Sequence, residues 1–324
     1  MPADCLSPRP LGTSGIDVSG LSLGSWRTYE RLPAHAGVEV MRAARQEGIN
    51  FFDDARYNDE TGQAPMPTGY SEVVFGDLFR RAGLRRDEVV VANKLWWEFW
   101  PEQDAAAEIE GSLGRMGFEY VDLIYASAPP DGMSVADLVG AVGGLLTSGL
   151  ARAWGFLNWP ADLMDQAARA AASLSVAPPC AAQLPYSLTR RSPVEDPATT
   201  QALRAARAGV VASFCLEGGI LSGKYRSGPA AGRAAGMLGE TRAGPAIAAA
   251  DDLADLAARL HTSMAALALA FPLANPAVAS VLFGATSPEQ VRANCAAASL
   301  LDRLDAGDLA ELARIGRPAG NEAS

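Results

Sequence analysis

The stretch Gly48-Ile49-Asn50-Phe51-Phe52-Asp53-Asp54-Ala55-Arg56-Tyr57 is a short apolar run that ends abruptly in two carboxylates and then a tyrosine. Further along the chain, a second apolar run, Val89-Val90-Val91-Ala92-Asn93-Lys94, ends in a cation in the same way. Two buried strands tipped by opposite charges are typical of neighbouring barrel strands, whose carboxyl ends open into one site. A carboxylate and a lysine gathered there with a tyrosine can make the tyrosine a better acid.

The same alternation of apolar runs and Ala/Leu-rich segments continues almost from end to end. The strand candidates are 20–25, 49–53, 88–93, 120–126, 153–157, 180–184, 209–215 and 278–283. Most of these runs are continuously apolar, which indicates strands of a parallel sheet covered on both faces. Eight strands, each followed by a helix, predict an α/β fold, a single (β/α)8 TIM barrel over residues 1–324. A doubly wound open sheet is the alternative, but no Gly-x-Gly-x-x-Gly follows a predicted strand.

Segments outside this repeat complete the predicted barrel. Residues 9–19 read as a hairpin around a glycine turn, which we expect to plug the bottom of the barrel. Long loops at 57–69 and 217–248 are expected at the carboxyl ends of the strands, where they would shape a site. Residues 302–316 predict a C-terminal helix, and 317–324 a frayed tail.

Composition excludes several classes of protein. The chain has 324 residues, 49% hydrophobic and 20% charged, with a net charge of −10. This charge argues against a nucleic acid or an anionic membrane as partner. The N-terminus shows no signal peptide and the apolar stretch 264–274 is too short to span a bilayer, so we expect a cytoplasmic protein. The scattered cysteines and histidines predict reduced thiols and no metal site; they are Cys5, Cys180, Cys215, Cys295, His35 and His261.

Motifs along residues 9–315 carry a resemblance to a known family. They are Gly48-Ile49-Asn50-Phe51-Phe52-Asp53, Ser112-Leu113-Gly114-Arg115-Met116-Gly117 with Tyr120-Val121-Asp122-Leu123, Arg152-Ala153-Trp154-Gly155-Phe156-Leu157-Asn158-Trp159, Ser222-Gly223-Lys224-Tyr225, and Gly284-Ala285-Thr286-Ser287-Pro288-Glu289-Gln290 with Asn294. In this order and spacing they resemble the aldo-keto reductase superfamily, and within it the bacterial branch similar to potassium-channel beta subunits. The resemblance implies a barrel without a Rossmann domain that binds NADPH across its mouth. It also implies hydride transfer to a carbonyl by an Asp, Tyr, Lys and His tetrad.

Three members of this tetrad have counterparts in the chain. By resemblance, Asp53 is the family aspartate and Lys94 the family lysine. Tyr57 is the expected acid, although it lies one residue closer to the aspartate than is usual in the family, and Tyr70 is the reserve. A desolvated Lys–Asp pair beside a phenol favours its ionised form, and a free tyrosine has a pKa of about 10.

The chain departs from the family at two places beside this tetrad. Ser127 occupies the position of the family histidine, so the group that would orient a carbonyl is reduced to a hydroxyl or a water. Asp54 stands where threonine is common and adds a second carboxylate, whose charge we expect Arg56 to offset.

The cofactor residues follow from the same resemblance. Gly284 begins a turn into a helix whose N-terminus suits a phosphate. The adenosine end is expected at Thr286, Gln290 and Asn294, the phosphates at Leu216, Gly218, Lys224 and Arg233, and the carboxamide at Asn158 and Gln183. At the nicotinamide end, Leu157 replaces a usual serine and Ser213 a usual stacking aromatic. Phe214 is adjacent but is expected to point the other way along the strand.

Tryptophans near strand ends indicate the substrate. Trp26 and Trp96 are the expected pocket walls, which favours a hydrophobic or planar molecule. The function predicted is an NADPH-dependent oxidoreductase acting on a carbonyl or on an activated C=C or C=N bond. Two alternatives stay open, an acid–base lyase or isomerase on the same barrel and a nucleotide-sensing regulatory subunit. The oligomeric state is left open.

Overall fold

Ten strands make up the sheets in the described part of the computed structural model, which comprises residues 8–60, 62–226 and 243–317. They are β1 (Arg9–Pro10), β2 (Asp17–Val18), β3 (Leu21–Gly24), β4 (Phe51–Asp53), β5 (Val90–Leu95), β6 (Val121–Ala126), β7 (Ala151–Leu157), β8 (Ala181–Pro185), β9 (Gly209–Ser213) and β10 (Val278–Phe283). Strands β3 to β10 are parallel neighbours in chain order, and β10 pairs with β3 to close the barrel. The predicted (β/α)8 barrel is confirmed.

Helices surround this barrel. They are α1 (Ala34–Gln46), α2 (Tyr70–Ala82), α3 (Ala105–Met116), α4 (Val135–Thr147), α5 (Ala161–Leu174), α6 (Ser192–Glu195), α7 (Pro197–Ala206), α8 (Gly244–Arg259), α9 (Met264–Leu273), α10 (Pro288–Leu301) and α11 (Ala306–Leu312), with short 3-10 helices at Tyr29–Arg31, Arg86–Glu88 and Glu217–Ser222. Every residue of β5 and of β6 is buried. Continuous burial explains why these strands are apolar throughout, since one face lines the interior and the other packs against helices.

The N-terminal hairpin closes one end of the barrel. Strands β1 and β2 are antiparallel, and Leu11, Ile16 and Val18 join the interior apolar cluster. The turn needs a glycine, because Gly12 has a φ of +56° and a Cβ there would lie 2.3 Å from the carbonyl oxygen of Cys180. The predicted hairpin is therefore present, and it fills the end opposite the carboxyl ends of the strands.

The predicted loop 217–248 is described only at its two ends, which hold helical residues; residues 227–242 lie outside the described part of the chain. Its start folds into the 3-10 helix Glu217–Ser222, and its last residues belong to α8, which begins at Gly244. The apolar stretch near 264–274 becomes the buried helix α9. In the described part of the chain no single helix is long and apolar enough to cross a membrane; α8 and α9 meet that criterion only as a pair bent by 100°.

Candidate functional site

The candidate site forms one layer above the apolar interior of the barrel. Phe51 and Ala92 line the interior, and side chains two residues further on lie on the same face of a strand. Asp53 and Lys94 therefore stand at the carboxyl ends of β4 and β5 with their side chains inside the barrel. Their strands are hydrogen-bonded neighbours, which brings the two side chains together.

A buried ion pair holds a tyrosine at this layer. Lys94 Nζ lies 2.5 Å from Asp53 Oδ1 and 3.2 Å from the Tyr57 hydroxyl. Asp53 is 1% exposed and Lys94 is 3% exposed, whereas Tyr57 is only partly buried. The phenol can thus reach a molecule in the barrel mouth, and its conjugate base would meet a fixed ammonium group.

A second strand supplies a further partner to this pair. Gln183 on β8 donates from Nε2 to Asp53 Oδ2 over 2.8 Å, so both carboxylate oxygens are bound. Beside it, burial raises the pKa of the Tyr125 phenol well above its ordinary value, with a smaller contribution from Asp53. Tyr125 is therefore a neutral floor to the site. A buried pair is tolerable only when its remaining polar atoms are satisfied, as they are here.

Ser127 lies at the expected strand end but its hydroxyl has a partner inside the protein. Ser127 Oγ donates to the carbonyl oxygen of Trp96 over 3.1 Å, and its own carbonyl accepts from Trp97 Nε1 at 3.2 Å. The hydroxyl thus ties the ends of β5 and β6 together. To orient a substrate it would have to leave Trp96.

Arg56 does not offset the charge of Asp54, and that expectation is wrong. Its guanidinium pairs with Glu98 at 2.7 Å and with Glu108 at 3.3 Å. Glu108 in turn accepts the backbone N–H of Trp96 at 2.8 Å. Arg56 therefore links the segment carrying Tyr57 to the segment after β5, because its side chain extends away from the barrel axis.

The reserve tyrosine occupies a different place. Tyr70 is the first residue of α2, and it lines a small cavity with Tyr57, Trp26 and Arg27. The structure describes no bond between Tyr70 and Lys94. Between the two candidates, Tyr57 is the one in contact with the ammonium group.

Phe214 turns toward the barrel mouth, contrary to the strand-based expectation. Strand β9 ends at Ser213, and Phe214 has a left-handed φ of +56°. Its ring meets that of Trp26 edge-on, with centroids 5.4 Å apart. The alternation of side chains applies only within a strand, and this backbone conformation lies outside it.

Left-handed backbone is concentrated at the carboxyl ends of the strands. Among the described residues, the non-glycine positions with positive φ just after β3, β5, β7 and β9 are Arg27, Trp97, Asn158, Phe214 and Glu217. The others follow or end helices α5, α7 and α8, at Ser175, Arg207 and His261. Such conformations cost about 1–3 kcal/mol each and collect at functional sites. The rim near the ion pair is thus the strained face of the barrel.

The turn before α10 is a capped helix N-terminus. Ser287 caps the helix, its hydroxyl accepting from the Gln290 N–H over 3.3 Å. The Gln290 side-chain oxygen accepts the Thr286 N–H at 2.9 Å. Thr286 and Gln290 are exposed and Asn294 is buried one turn further on, with Gly284 at the start of the turn.

A second loop brings a cation to the same side of the mouth. Leu216 precedes the 3-10 helix Glu217–Ser222, in which Gly218 and Gly219 have φ values of +66° and +98°. A Cβ at Gly219 would lie 2.8 Å from Lys224 Nζ, so the lysine lies across this glycine. Arg233, the other expected cation, falls outside the described residues.

The two expected carboxamide residues are adjacent. The Asn158 N–H donates to the Gln183 carbonyl oxygen over 3.0 Å, and the Asn158 side chain is exposed at the end of β7. Gln183 is buried with its amide nitrogen on Asp53. In the described part of the chain, no cluster of His, Cys, Asp and Glu could hold a metal ion.

Comparison with known proteins identifies the family. A model described as "Aldo/keto reductase family" matches residues 20–317. The chain belongs to the aldo/keto reductase family. A probable voltage-gated potassium channel subunit beta from Oryza sativa subsp. japonica is 31% identical over 313 residues, covering 91% of this chain and 92% of that protein. A protein of the same description from Arabidopsis thaliana is 29% identical over 312 residues, with the same coverage.

Membership in the aldo/keto reductase family indicates an oxidoreductase that uses NAD(P)H in general. Lys94, Asp53 and Tyr57 then meet as the resemblance implied. The sequence alone did not reveal the contact of Gln183 with Asp53 or the role of Glu108. Neither residue carries a local signal, because one joins strands far apart in the chain and the other looks like an ordinary acid in the first turn of α3.

Proposed function

We propose that this protein is an NADPH-dependent reductase whose proton donor is Tyr57. The observation that carries the proposal is the position of Lys94 Nζ, 2.5 Å from the Asp53 carboxylate and 3.2 Å from the Tyr57 hydroxyl. A general acid must lose its proton readily and be held where the substrate can reach it. The buried pair answers the first need, and the partial exposure of Tyr57 answers the second.

The residues of the chain divide the work of a reduction between them. Bound NADPH would supply a hydride to one atom of the reducible double bond. Tyr57 would give its hydroxyl proton to the other atom, and Lys94 would stabilise the tyrosinate that remains. Asp53, bound by both Lys94 and Gln183, would keep the ammonium group in place.

The far side of the mouth suits the phosphates and adenosine of NADPH. Lys224 lies across Gly219, which leaves a cation beside glycine-rich backbone where a diphosphate could approach closely. The capped N-terminus of α10 offers backbone N–H groups and a favourable helix dipole. Thr286, Gln290 and Asn294 would hold the adenosine end there.

The hydrogen bond of Ser127 bears on which kind of double bond the protein would reduce. Its hydroxyl is given to the Trp96 carbonyl, so a simple carbonyl would lack the second donor that orients it. An activated C=C or C=N bond is already polarised by its own substituents and depends less on such a donor. We therefore favour these bonds over plain aldehydes.

The walls of the mouth favour a planar, hydrophobic substrate. The Trp96 ring lies 6.3 Å from that of Tyr57, and the Trp26 ring meets Phe214 on the other side. Flat apolar walls of this kind bury rings with little loss of conformational entropy.

Two experiments test this function. The first is a titration with NADPH, and the second measures turnover with a panel of enones, imines, ketones and aldehydes. We expect enhanced NADPH fluorescence on binding, and oxidation of NADPH with the enones or imines. Tyr57→Phe should lower that turnover by about 10²–10⁴-fold and leave NADPH binding unchanged. The proposal fails if NADPH does not bind at tens of micromolar, or if Tyr57→Phe turns over as fast as the natural protein.

A regulatory role is the second candidate. Two relatives that this chain matches over 92% of their length are described as probable voltage-gated potassium channel beta subunits. NADPH binding without turnover of any acceptor would favour it. Proton exchange or elimination without NADPH would favour an acid–base lyase or isomerase instead.

A further inference from the structure

A buried carboxyl group lies directly behind the catalytic layer. Asp54 follows the last residue of β4, and its side chain lies on the side of α2, where the charge of Glu72 acts on it. It is fully buried. The Ser25 hydroxyl donates to its Oδ1, and its Oδ2 has no hydrogen-bond partner among the described residues.

The carboxylates next to Asp54 each have a cation of their own. Asp53 Oδ1 lies 2.5 Å from Lys94 Nζ, and Glu72 Oε2 lies 2.6 Å from Arg115 Nε. Asp54 forms no ion pair with any described residue, and Lys94 reaches only its backbone carbonyl, at 3.4 Å. An ionised Asp54 would be an unpaired charge in the protein interior, which would cost free energy of folding.

The titration of Asp54 agrees with this arrangement. Burial, and next the negative charge of Glu72, raise the pKa of the Asp54 carboxyl well above its ordinary value. The Ser25 hydroxyl, the Ala55 amide and Lys94 oppose the rise with smaller effects.

We propose that Asp54 is a neutral carboxylic acid at neutral pH and that in this form it is a positioning residue for the mouth of the barrel. Its bond to Ser25 joins the end of β3 to the end of β4. Trp26 follows directly after Ser25, and Tyr57 lies in the segment that Asp54 begins. The neutral acid therefore holds one pocket wall and the proton donor together without adding charge to the Asp53–Lys94 pair. Its importance for turnover rests on the proposed reductase function, but its protonation does not.

Infrared spectroscopy reads the protonation directly. At neutral pH we expect a C=O stretching band of a buried carboxylic acid that Asp54→Asn removes. Ser25→Ala should shift the same band, because it removes the donor to Oδ1. A spectrum in which neither variant changes the acid region overturns the proposal, whether or not the protein reduces any substrate.

The pH dependence of stability gives an independent readout. A carboxyl whose pKa is raised in the folded state binds more protons when folded than when unfolded, so folding stability falls as pH rises from about 4 toward the raised pKa. Asp54→Asn lacks this titration. We expect its melting temperature to gain on that of the natural protein as pH increases. The opposite trend, with Asp54→Asn losing ground above the ordinary carboxyl pKa, would mean that Asp54 is ionised and would sink the proposal.

A comparison of Asp54→Asn with Asp54→Ala tests whether Asp54 positions its neighbours through a hydrogen bond or only fills space. Asn can still accept from Ser25, whereas Asp54→Ala cannot, so Asp54→Asn should keep NADPH oxidation and Asp54→Ala should raise KM for the acceptor. Equal KM values in these two variants contradict the positioning role. If the natural protein reduces no acceptor, the proposed function fails. The infrared band of Asp54 would still test its protonation.

Discussion

The two sides of the barrel mouth are built differently. On the side of β4 and β5, the charged side chains are buried and bound to one another, as Lys94 is to Asp53 and Arg56 to Glu108. On the side of β9 and β10, several candidate binding residues lie at the surface, although Asn294 is buried. Thr286, Gln290 and Lys224 are exposed there.

Under the proposed function, this difference separates the catalytic groups from the groups that bind the cofactor. Groups that act on a reacting bond gain from being held before the substrate arrives, since no reorganisation is then needed. Groups that hold a cofactor can remain solvated until it binds, because the cofactor itself completes their contacts. We therefore expect substitutions of the buried charged groups on the β4–β5 side to affect both rate and stability, and those of the exposed groups on the β9–β10 side to affect affinity alone.

The largest expected effect comes from Lys94→Met. It leaves Asp53 buried without its cation, which should cost about 3–5 kcal/mol of unfolding free energy and abolish turnover. Denaturant unfolding measures the first effect and NADPH oxidation the second. The double variant Asp53→Asn with Lys94→Met should recover much of the stability and none of the activity. A single variant as stable as the natural protein would show that the two sides do not differ in this way.

Tyr57→Phe should have the next largest effect, and on rate only. Removal of the proton donor should lower kcat by about 10²–10⁴-fold, with an unchanged dissociation constant for NADPH. Tyr70→Phe is the matched control and should keep the natural kcat, because Tyr70 does not contact Lys94. Reversal of this order would transfer the proton donor to Tyr70.

Lys224→Ala tests the other side of the mouth. Loss of one exposed cation beside the proposed diphosphate site should weaken NADPH binding by about tenfold, or about 1.4 kcal/mol, with no change in melting temperature. Arg226→Ala serves as control, since Arg226 is exposed nearby and pairs with Asp251. Fluorescence titration measures both. Equal affinities in the two variants would remove Lys224 from the cofactor site.

The smallest effect is expected at Phe214, where the two sides meet. Phe214→Ala loses the edge contact with Trp26 but keeps a left-handed residue, whereas Phe214→Gly loses the contact and the strain together. Phe214→Gly should therefore be the more stable of the two by about 1 kcal/mol. Differential scanning calorimetry can detect this difference. A less stable Phe214→Gly would show that the loop is not strained there.

The barrel and its ion pair were predictable because their signals are local. The run ending at Asp53 and the run ending at Lys94 each mark a buried strand with a charged tip, and parallel order brings the tips together. The hairpin at 9–19 and α2 at Tyr70–Ala82 also follow from short-range patterns.

The expectations that proved wrong concern residues outside regular strands and contacts between residues that are far apart in the chain. The expected direction of the Phe214 side chain is wrong, because the alternation of side chains along β9 ends at Ser213. Arg56 was paired with its neighbour in sequence, whereas in the fold it meets Glu108 on α3. The expected loop 217–248 extends too far toward the C-terminus, because α8 begins at Gly244.

By itself, the sequence determined the eight barrel strands, their parallel order, and which charged residues end neighbouring strands, because each of these signals lies within a short stretch of residues. Only the tertiary structure decided that Gln183 binds Asp53, that Ser127 gives its hydroxyl to Trp96, and that Asp54 is buried without a cation. Those outcomes depend on distances between segments far apart in the chain. The choice of a side chain's hydrogen-bond partner is made between such distant segments, and no local pattern encodes it.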